Sequence, residues 1–472
     1  MYQLRLIFLF LSLAPATQSQ TTIPLPSMQQ LKWHGTEFNL FLHFGPNTFT
    51  DKEWGVGNEP EDLFNPANLD CRQWCRIAKA AGAKGIIITA KHHDGFCLWP
   101  SNYSKHTVRE SKWQNGKGDV LEHLSKACKE YGLNFGVYIS PWDRNHPDYG
   151  TEKYNTIFIN MMKELFTRYG PIHELWWDGA NGEGPNGKKQ EYNWSAFVQT
   201  VRSLSPQTLI FSDVGPDIRW IGNEKGFAGI TNWNYLNTDG FSPGIGAPPT
   251  DTLNTGNKQG AYWIPGECDV SIRPGWFYHA AQDDKVKTPE QLFDIYLKSV
   301  GRGSVLLLNV PPDRRGLIHK NDSAALMGFQ KIRQLLLPSK GIIENAVEGE
   351  FTFRFGQLDK VKLEDETQTI DMGDYQNNFM SAEFKKPIEL NCIVLKESIE
   401  KGQRVEEFVV QLLKEDNESI YIKGNTMGRT RILTFPKIKT QLVILRFTKS
   451  NGNPRFHPFD FYLIDEKFTE KQ

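Results

Sequence analysis

One junction recurs along this chain: an apolar run of strand length that ends abruptly in polar and aromatic side chains. Gly85-Ile86-Ile87-Ile88-Thr89 runs into Ala90-Lys91-His92-His93-Asp94-Gly95-Phe96. Asn39-Leu40-Phe41-Leu42 runs likewise into His43-Phe44-Gly45, Asn134-Phe135-Gly136-Val137-Tyr138-Ile139 into Ser140-Pro141-Trp142-Asp143, and Glu174-Leu175-Trp176-Trp177 into Asp178-Gly179. Runs this apolar have no solvent-facing side, so they read as parallel strands covered by helices. Polar chemistry at the C-terminal ends of such strands is where parallel barrels keep their active sites.

The spacing predicts strands at residues 38–44, 84–90, 133–140, 173–178, 208–213, about 229–233, 261–266 and 304–310, the complement that a (β/α)8-like barrel requires. Helical periodicity fills the intervals at Arg72 to Ala81, Val120 to Tyr131, Tyr154 to Tyr169, Trp194 to Leu204 and Pro289 to Val300. Thr288 and Pro289 supply a cap and a first-turn proline for the last of these. The segment 235–260, rich in Gly, Pro, Thr and Asn, reads as a long loop on the active face. After Leu337-Pro338-Ser339 the texture changes to alternating strands at 351–355, 392–395, 408–412 and 443–447 with no helical period. The chain thus divides into a barrel over residues 21–338 and a β-sandwich over 339–472.

Residues 1–20 carry Arg5, an apolar run from Leu6 to Leu13 and small residues at Ala14, Ala16 and Ser19, the layout of a secretory signal peptide. That run is too short to span a bilayer, and no second stretch matches it, so the expectation is an exported protein, periplasmic or secreted, without membrane insertion. A net charge of -1 over 472 residues argues against a nucleic-acid partner, which demands a basic surface. The six cysteines are too sparse for a disulfide scaffold. Thirteen tryptophans are present, several of them at strand ends, where an indole can stack on the apolar face of a sugar.

Asp178 is the sharpest candidate for chemistry. It follows two tryptophans at a strand end and precedes Gly179-Ala180-Asn181-Gly182, a turn with little bulk to cover it, so its carboxylate is presented as a nucleophile for a carbon centre. Acid and base work needs a second carboxyl, and the residues alone leave two open: Glu224, on a glycine-flanked loop after the fifth strand, and Glu267, placed at the end of the seventh. His43, His92, His93 and Tyr138 converge from neighbouring strands as donors and acceptors suited to gripping several hydroxyls. Zinc binding by the histidines with Asp94 is the rival reading; adjacent residues of an extended strand point to opposite sides, which counts against it.

The motifs "LFLHFGPNTF", "EWG", "AKHHDGF", "FGVYISPWD", "ELWWDGANG", "RWIGNEKG" and "LLLNVPPDRRG", in this order over about residues 30–335, resemble the α-L-fucosidases of glycoside hydrolase family 29. The resemblance implies a (β/α)8-like barrel and retaining hydrolysis of terminal α-L-fucose, with no cofactor and no metal. Asp178 matches the nucleophile, and His43, Glu53, Trp54, His92, His93, Tyr138 and Trp176 match positions that hold the sugar's hydroxyls or C5 methyl. "RWIGNEKG" resembles the branch that prefers α-1,3- and α-1,4-linked fucose; it carries Glu224 over as acid/base and leaves Glu267 shaping the subsite. The tail resembles a galactose-binding, discoidin-like sandwich. Its "GNTMGRTRILTFP" departs from the usual motif, so the expected role of this domain is packing against the barrel.

These readings imply fucosylated oligosaccharides or glycoproteins as partners. Trp220, Trp233 and Trp276, together with the 235–260 loop, are expected to form subsites beyond fucose. Competing functions are a fucosidase of broader linkage specificity, a metal-dependent hydrolase and a lectin-like sugar-binding protein; the last requires a missing carboxylate, and both Asp178 and Glu224 are present.

Overall fold

The computed structural model describes residues 23–243, 246–342, 351–356, 359–361, 369–374, 376–377 and 379–469. The leader expected at 1–20 lies outside them. Eight parallel strands close a barrel: β1 (Phe38–Leu42), β2 (Gly85–Lys91), β3 (Asn134–Ile139), β4 (Glu174–Trp176), β5 (Leu209–Ser212), β6 (Ile218–Trp220), β7 (Gly266–Ser271) and β8 (Val305–Asn309), with β8 returning to β1. Alternation along each strand sorts the side chains into two cores. Phe41, Ile87, Tyr138, Trp176, Phe211, Ile218 and Leu307 fill the interior, with Trp33 from the helix Met28–His34 buried among them. Their neighbours Leu40, Leu42, Ile86, Ile88, Val137, Leu175, Trp177, Ile210 and Leu308 face the helices. Both faces are therefore apolar, as the uninterrupted runs required.

The helices of ten residues or more among the described residues are α1 (Cys71–Ala80), α2 (Val120–Tyr131), α3 (Glu152–Arg168), α4 (Trp194–Leu204), α5 (Pro289–Ser299) and α6 (Lys320–Leu336). Their starts follow from capping: Asp70 and Asp119 accept from the backbone N–H three residues on, and Thr288 forms a reciprocal capping box with Gln291 ahead of Pro289. Gly132 ends α2 in the left-handed conformation, at φ 69°.

The sixth and seventh strands differ from expectation. Residues 229–233 are irregular, and the sixth barrel strand is the three-residue segment Ile218–Trp220. The Tyr262–Trp263 part of the run at 261–266 pairs with Tyr235–Leu236 in a separate antiparallel ribbon, and the seventh barrel strand is Gly266–Ser271. The ring of helices is incomplete here: among the described residues no helix separates β5 from β6, and only Thr250–Thr255 lies between β6 and β7. Arg219, fully buried on the outward face of β6, fills the gap. Its guanidinium donates to the carbonyls of Leu253, Ile264 and Trp233 and to Asn232 Oδ1, and burial lowers its pKa to about 10. A buried arginine without a carboxylate is tolerable only when its donors are matched in this way.

The C-terminal domain is an antiparallel sheet of β9 (Phe351–Phe355), β10 (Asp359–Val361), β11 (Ile370–Asp371), β12 (Met380–Glu397), β13 (Val405–Lys414), β14 (Ser419–Gly424), β15 (Arg431–Ser450) and β16 (Arg455–Tyr462). The two long strands β12 and β15 pair with shifts of register between Glu383 and Ile388 and between Leu390 and Cys392. Such irregularities let one strand serve two parts of a curved sheet. The apolar side encloses Phe353, Met380, Phe384, Leu412, Phe435 and Phe461. This domain docks where the helix ring is open: Gln403, fully buried, accepts from Asn234 N at 2.9 Å and donates to Asn232 O at 2.9 Å, and Thr426 Oγ1 accepts from Asn232 N at 2.8 Å.

Candidate active site

At the C-terminal end of the barrel lies a cavity of about 250 Å³, and eleven of the residues singled out above line it, though not Glu267, Trp233 or Asp94. His43 follows β1, His92 and His93 follow β2, Tyr138 lies in β3, Trp176 ends β4 with Asp178 two residues beyond it, and Trp220 ends β6. Glu53, Trp54, Glu224 and Trp276 arrive from the connecting loops, and Phe41, Gly179, Ala180, Asp213 and Asp269 complete the lining.

Asp178 continues the inward set of β4 beyond Trp176. Its Oδ1 accepts from Ala180 N at 2.7 Å and its Oδ2 from Tyr138 Oη at 3.1 Å, while His93 Nε2 stands 3.8 Å from Oδ2. Those contacts fix one carboxylate with about a quarter of its surface open to the cavity, the side chain being 28% exposed. Burial and the Asp178 charge hold the Tyr138 phenol well above its usual pKa, so it stays a donor.

The imidazoles are neutral and oriented. Burial pushes His43 down to about 3 and lowers His92 and His93 as well. Asn309 Nδ2 donates to Trp276 O at 2.7 Å, which turns its Oδ1 toward His43 Nδ1 at 2.9 Å. The proton of His43 therefore sits on Nδ1 and Nε2 carries the lone pair. Ser140 Oγ donates to Trp142 O at 3.0 Å, so it accepts from His93 Nδ1 at 2.7 Å, and His93 takes the same tautomer. His92 stacks on Tyr138 with an interplanar angle of 16°. Among the described residues, no group of three or more His, Cys, Asp or Glu side chains is placed to hold a metal ion.

Glu53 is held by Trp276 N at 2.8 Å and by His279, whose other nitrogen meets Asp51 at 2.9 Å. Trp54, half exposed, sets its ring edge to His93 and Trp142 at centroid distances of 5.2 and 5.5 Å. Glu224 lies on an exposed turn, and its Oε2 accepts from Trp276 Nε1 at 3.3 Å. Because β6 precedes it, Glu224 follows the sixth strand of the barrel rather than the fifth.

Glu267 is corrected outright. It is the second residue of β7, fully buried near the strand's start, and lies outside the cavity lining. Its Oε2 accepts from Trp176 Nε1 at 3.0 Å, under the floor of the site. The inward residue of β7 that reaches the cavity is Asp269, two positions further on, whose Oδ1 accepts from Trp220 Nε1 at 2.9 Å. Burial, then the Glu224 charge, holds the Asp269 carboxyl well above the usual range.

The loop expectation also changes. Among the described residues, none from 235–260 lines the cavity. Trp233, 5% exposed, packs with Tyr235, Trp263 and Ile399 toward the C-terminal domain, and Tyr235 Oη donates to Gln403 O at 2.7 Å. Trp220 and Trp276 do line the cavity.

Two carboxyls were missed, Asp213 and Asp269. The signal was present: Asp213 directly follows β5, and Asp269 shares parity with Glu267. Asp213 is pushed up to about 6 by burial and by Asp178. It packs against Gly179, where a Cβ would come 1.9 Å from Asp213 Oδ2.

An α-L-fucosidase family profile matches residues 13–331. The protein named α-L-fucosidase 1 of Arabidopsis thaliana is 39% identical over 99% of this chain and 95% of its own. This chain belongs to the α-L-fucosidases of glycoside hydrolase family 29. A family 29 member from an unknown rumen bacterium superposes with a TM-score of 0.83 at 39% identity, covering 94% of this chain and 78% of that one. A Ruminococcus gnavus family 29 fucosidase, solved in complex with fucose, gives 0.83 at 26% identity over 95% of this chain and 96% of its own. The enzyme is thus a glycoside hydrolase whose substrates are fucosylated glycans.

An α-L-fucosidase that depends on this packing of Asp213 beside Asp178 does not tolerate bulk at residue 179. Gly179→Ala is expected to lower kcat/KM at least about a hundredfold, roughly 2.7 kcal/mol, while the protein remains folded by circular dichroism. Activity within about threefold of the parent contradicts the placement of Asp213.

Proposed function

We propose that this fucosidase releases terminal α-1,3- and α-1,4-linked L-fucose with retention of configuration, using Asp178 as nucleophile and Glu224 as acid/base. The observation that carries the reading is the asymmetry of the two carboxyls that open on one cavity. Asp178 is fixed by Ala180 N and Tyr138 Oη at 2.7 and 3.1 Å, whereas Glu224 sits on an exposed turn with Trp276 Nε1 at 3.3 Å. A nucleophile needs a fixed line of attack; a proton carrier needs access to solvent and to the leaving group.

In the first step an oxygen of Asp178 bonds to the anomeric carbon, the bond to the aglycone oxygen breaks, and the Glu224 proton goes to that oxygen. In the second, the Glu224 carboxylate takes a proton from water, whose oxygen displaces Asp178 and frees fucose. This course calls for carboxyl groups about 5 to 5.5 Å apart with sugar bound. The Nε2 lone pairs of His43 and His93 accept from ring hydroxyls. Leaving such buried partners unmatched is what penalises sugars lacking a gripped hydroxyl. The linkage preference rests on the likeness of "RWIGNEKG" to that branch, and Trp220 and Trp276 are the aromatics that border Glu224 in the cavity lining.

Asp178→Ala is expected to lose at least about 10⁴-fold in turnover of every fucoside, since no second route of comparable barrier remains. Glu224→Gln is expected to keep the first step on aryl fucosides with good leaving groups, which need no proton, to fail on natural glycans, and to be accelerated by azide. An Asp178→Ala enzyme within about tenfold of the parent, or azide rescue absent from Glu224→Gln, contradicts the assignment.

Linkage is tested by kcat/KM on a Lewis-type trisaccharide, the disaccharide lacking its galactose, and 2'-fucosyllactose. The trisaccharide is expected to exceed the α-1,2-linked sugar at least about tenfold, near 1.4 kcal/mol. Equal values give a fucosidase of broad linkage specificity instead.

A further inference from the structure

Beneath the floor of the cavity two carboxyl groups meet across the barrel interior. Glu174 on β4 and Glu267 on β7 are 1% and 0% exposed, and β5 and β6 separate their strands. Trp176, two residues beyond Glu174 on β4, reaches Glu267 Oε2 across the interior, which puts both side chains beneath the same ring, and each carboxyl acts on the proton affinity of the other. The outer oxygen of each takes an indole: Trp33 Nε1 donates to Glu174 Oε2 at 2.9 Å, and Trp176 Nε1 to Glu267 Oε2 at 3.0 Å. Among the described residues, neither Glu174 Oε1 nor Glu267 Oε1 has a nitrogen or hydroxyl donor.

Two carboxylates facing each other in this setting are not tenable, because no cation among the described residues balances them. Arg219 on the adjoining β6 points outward and has its donors on Leu253, Ile264, Trp233 and Asn232. Asp269, one layer above on β7, is itself a carboxyl held above its usual range. Burial first, then the neighbouring carboxyl, raises Glu267 well above the ordinary glutamate value, and burial raises Glu174 to about 7. A single proton between the two Oε1 atoms satisfies both orphaned oxygens and leaves each Oε2 free for its indole.

We propose that Glu174 and Glu267 share one proton and act as a positioning pair, holding the Trp176 indole down as the floor of the fucose site. The inference rests on the reading of Trp176 as a sugar contact. Trp176 lies flat on Phe211, centroids 3.8 Å apart and planes within 7°, with Tyr138 at 5.5 Å on its flank. Stacking alone sets the plane of the ring. The Glu267 acceptor decides which edge points into the protein.

Glu267→Gln separates this role from proton transfer in catalysis. The amide oxygen accepts from Trp176, the amide N–H donates to Glu174 Oε1, and the variant has the charge of the proton-sharing pair with no proton to lose. The sign of the pH effect follows from linkage. A carboxyl raised in the folded state gives stability that is fully present below the unfolded value, near 4.5, and is lost as pH rises toward the folded one.

Thermal melting of parent and Glu267→Gln is measured between pH 5 and pH 8, with kcat and KM on an aryl fucoside. The variant is expected to gain on the parent by at least about 2 °C across that range and to keep kcat/KM within about threefold. Glu267→Met, which removes the acceptor but keeps the volume, is expected to raise KM at least about tenfold with a smaller change in kcat. A melting difference that does not change with pH overturns the shared proton, and a hundredfold loss in Glu267→Gln overturns the positioning role. An unchanged KM in Glu267→Met also overturns it, and Glu267→Gln decides by itself if the Met variant does not fold. Melting needs no substrate, so this outcome is independent of the roles given to Asp178 and Glu224.

Discussion

The site depends on how Trp176 is held. Inside a closed barrel every inward side chain must fill space, and every polar atom must find its partner there. Trp176 meets both demands: one face lies on Phe211 with planes within 7°, and its N–H is taken by Glu267 at 3.0 Å. With that ring fixed, the next inward position of β4 is Asp178, and Tyr138 beside the ring donates to the Asp178 carboxylate at 3.1 Å. The layers from Glu174 through Trp176 to Asp178 thus run from a buried polar pair, through an aromatic floor, to a carboxylate at the cavity. Each sets the geometry of the one above.

The same interior rule shapes the chemistry at the rim. In and beneath the cavity, tryptophan N–H groups tie down carboxyls at four positions, Glu174, Glu267, Asp269 and Glu224, with distances of 2.9, 3.0, 2.9 and 3.3 Å. Burial holds the Tyr138 phenol and the Asp269 carboxyl well above their usual ranges and lowers the histidines, so the cavity sets neutral hydroxyl-binding groups around the Asp178 carboxylate. On the outside, the incomplete helix ring around β6 leaves backbone carbonyls that need donors. Arg219 supplies them, and the C-terminal domain covers the opening through Gln403 and Thr426. The second domain therefore completes the wall of the first.

Much of this was legible from strand ends. The long apolar runs of β1 to β4 and β8 gave their own positions, because a strand buried on both faces has no polar interruption. Helices α2 and α4 followed from periodicity to the residue. The strands β6 and β7 were not legible in the same way: Ile218–Trp220 is three residues long with an arginine in the middle, and Gly266–Ser271 carries Glu267 and Asp269. Arg219 read as loop and Glu267 as the end of the preceding run, and only tertiary packing places both inside strands. The misplacement moved Glu267 from under the floor to the rim and hid Asp269. Segment 235–260 carried a composition that fits a functional loop, but composition does not say which side a loop packs on. Tyr235 and Trp233 turn it toward the C-terminal domain.

The central claim is that one carboxylate among Asp178, Asp213, Glu224, Glu267 and Asp269 forms the covalent bond to the sugar. The most direct measurement uses 2-deoxy-2-fluoro-L-fucosyl fluoride, which loads the nucleophile quickly and releases it slowly, followed by digestion and peptide mass analysis. The account predicts a single fucosyl adduct on the peptide that contains Asp178, absent from Asp178→Ala. A label on Asp213, Glu224, Glu267 or Asp269, or full turnover with no covalent adduct, contradicts it.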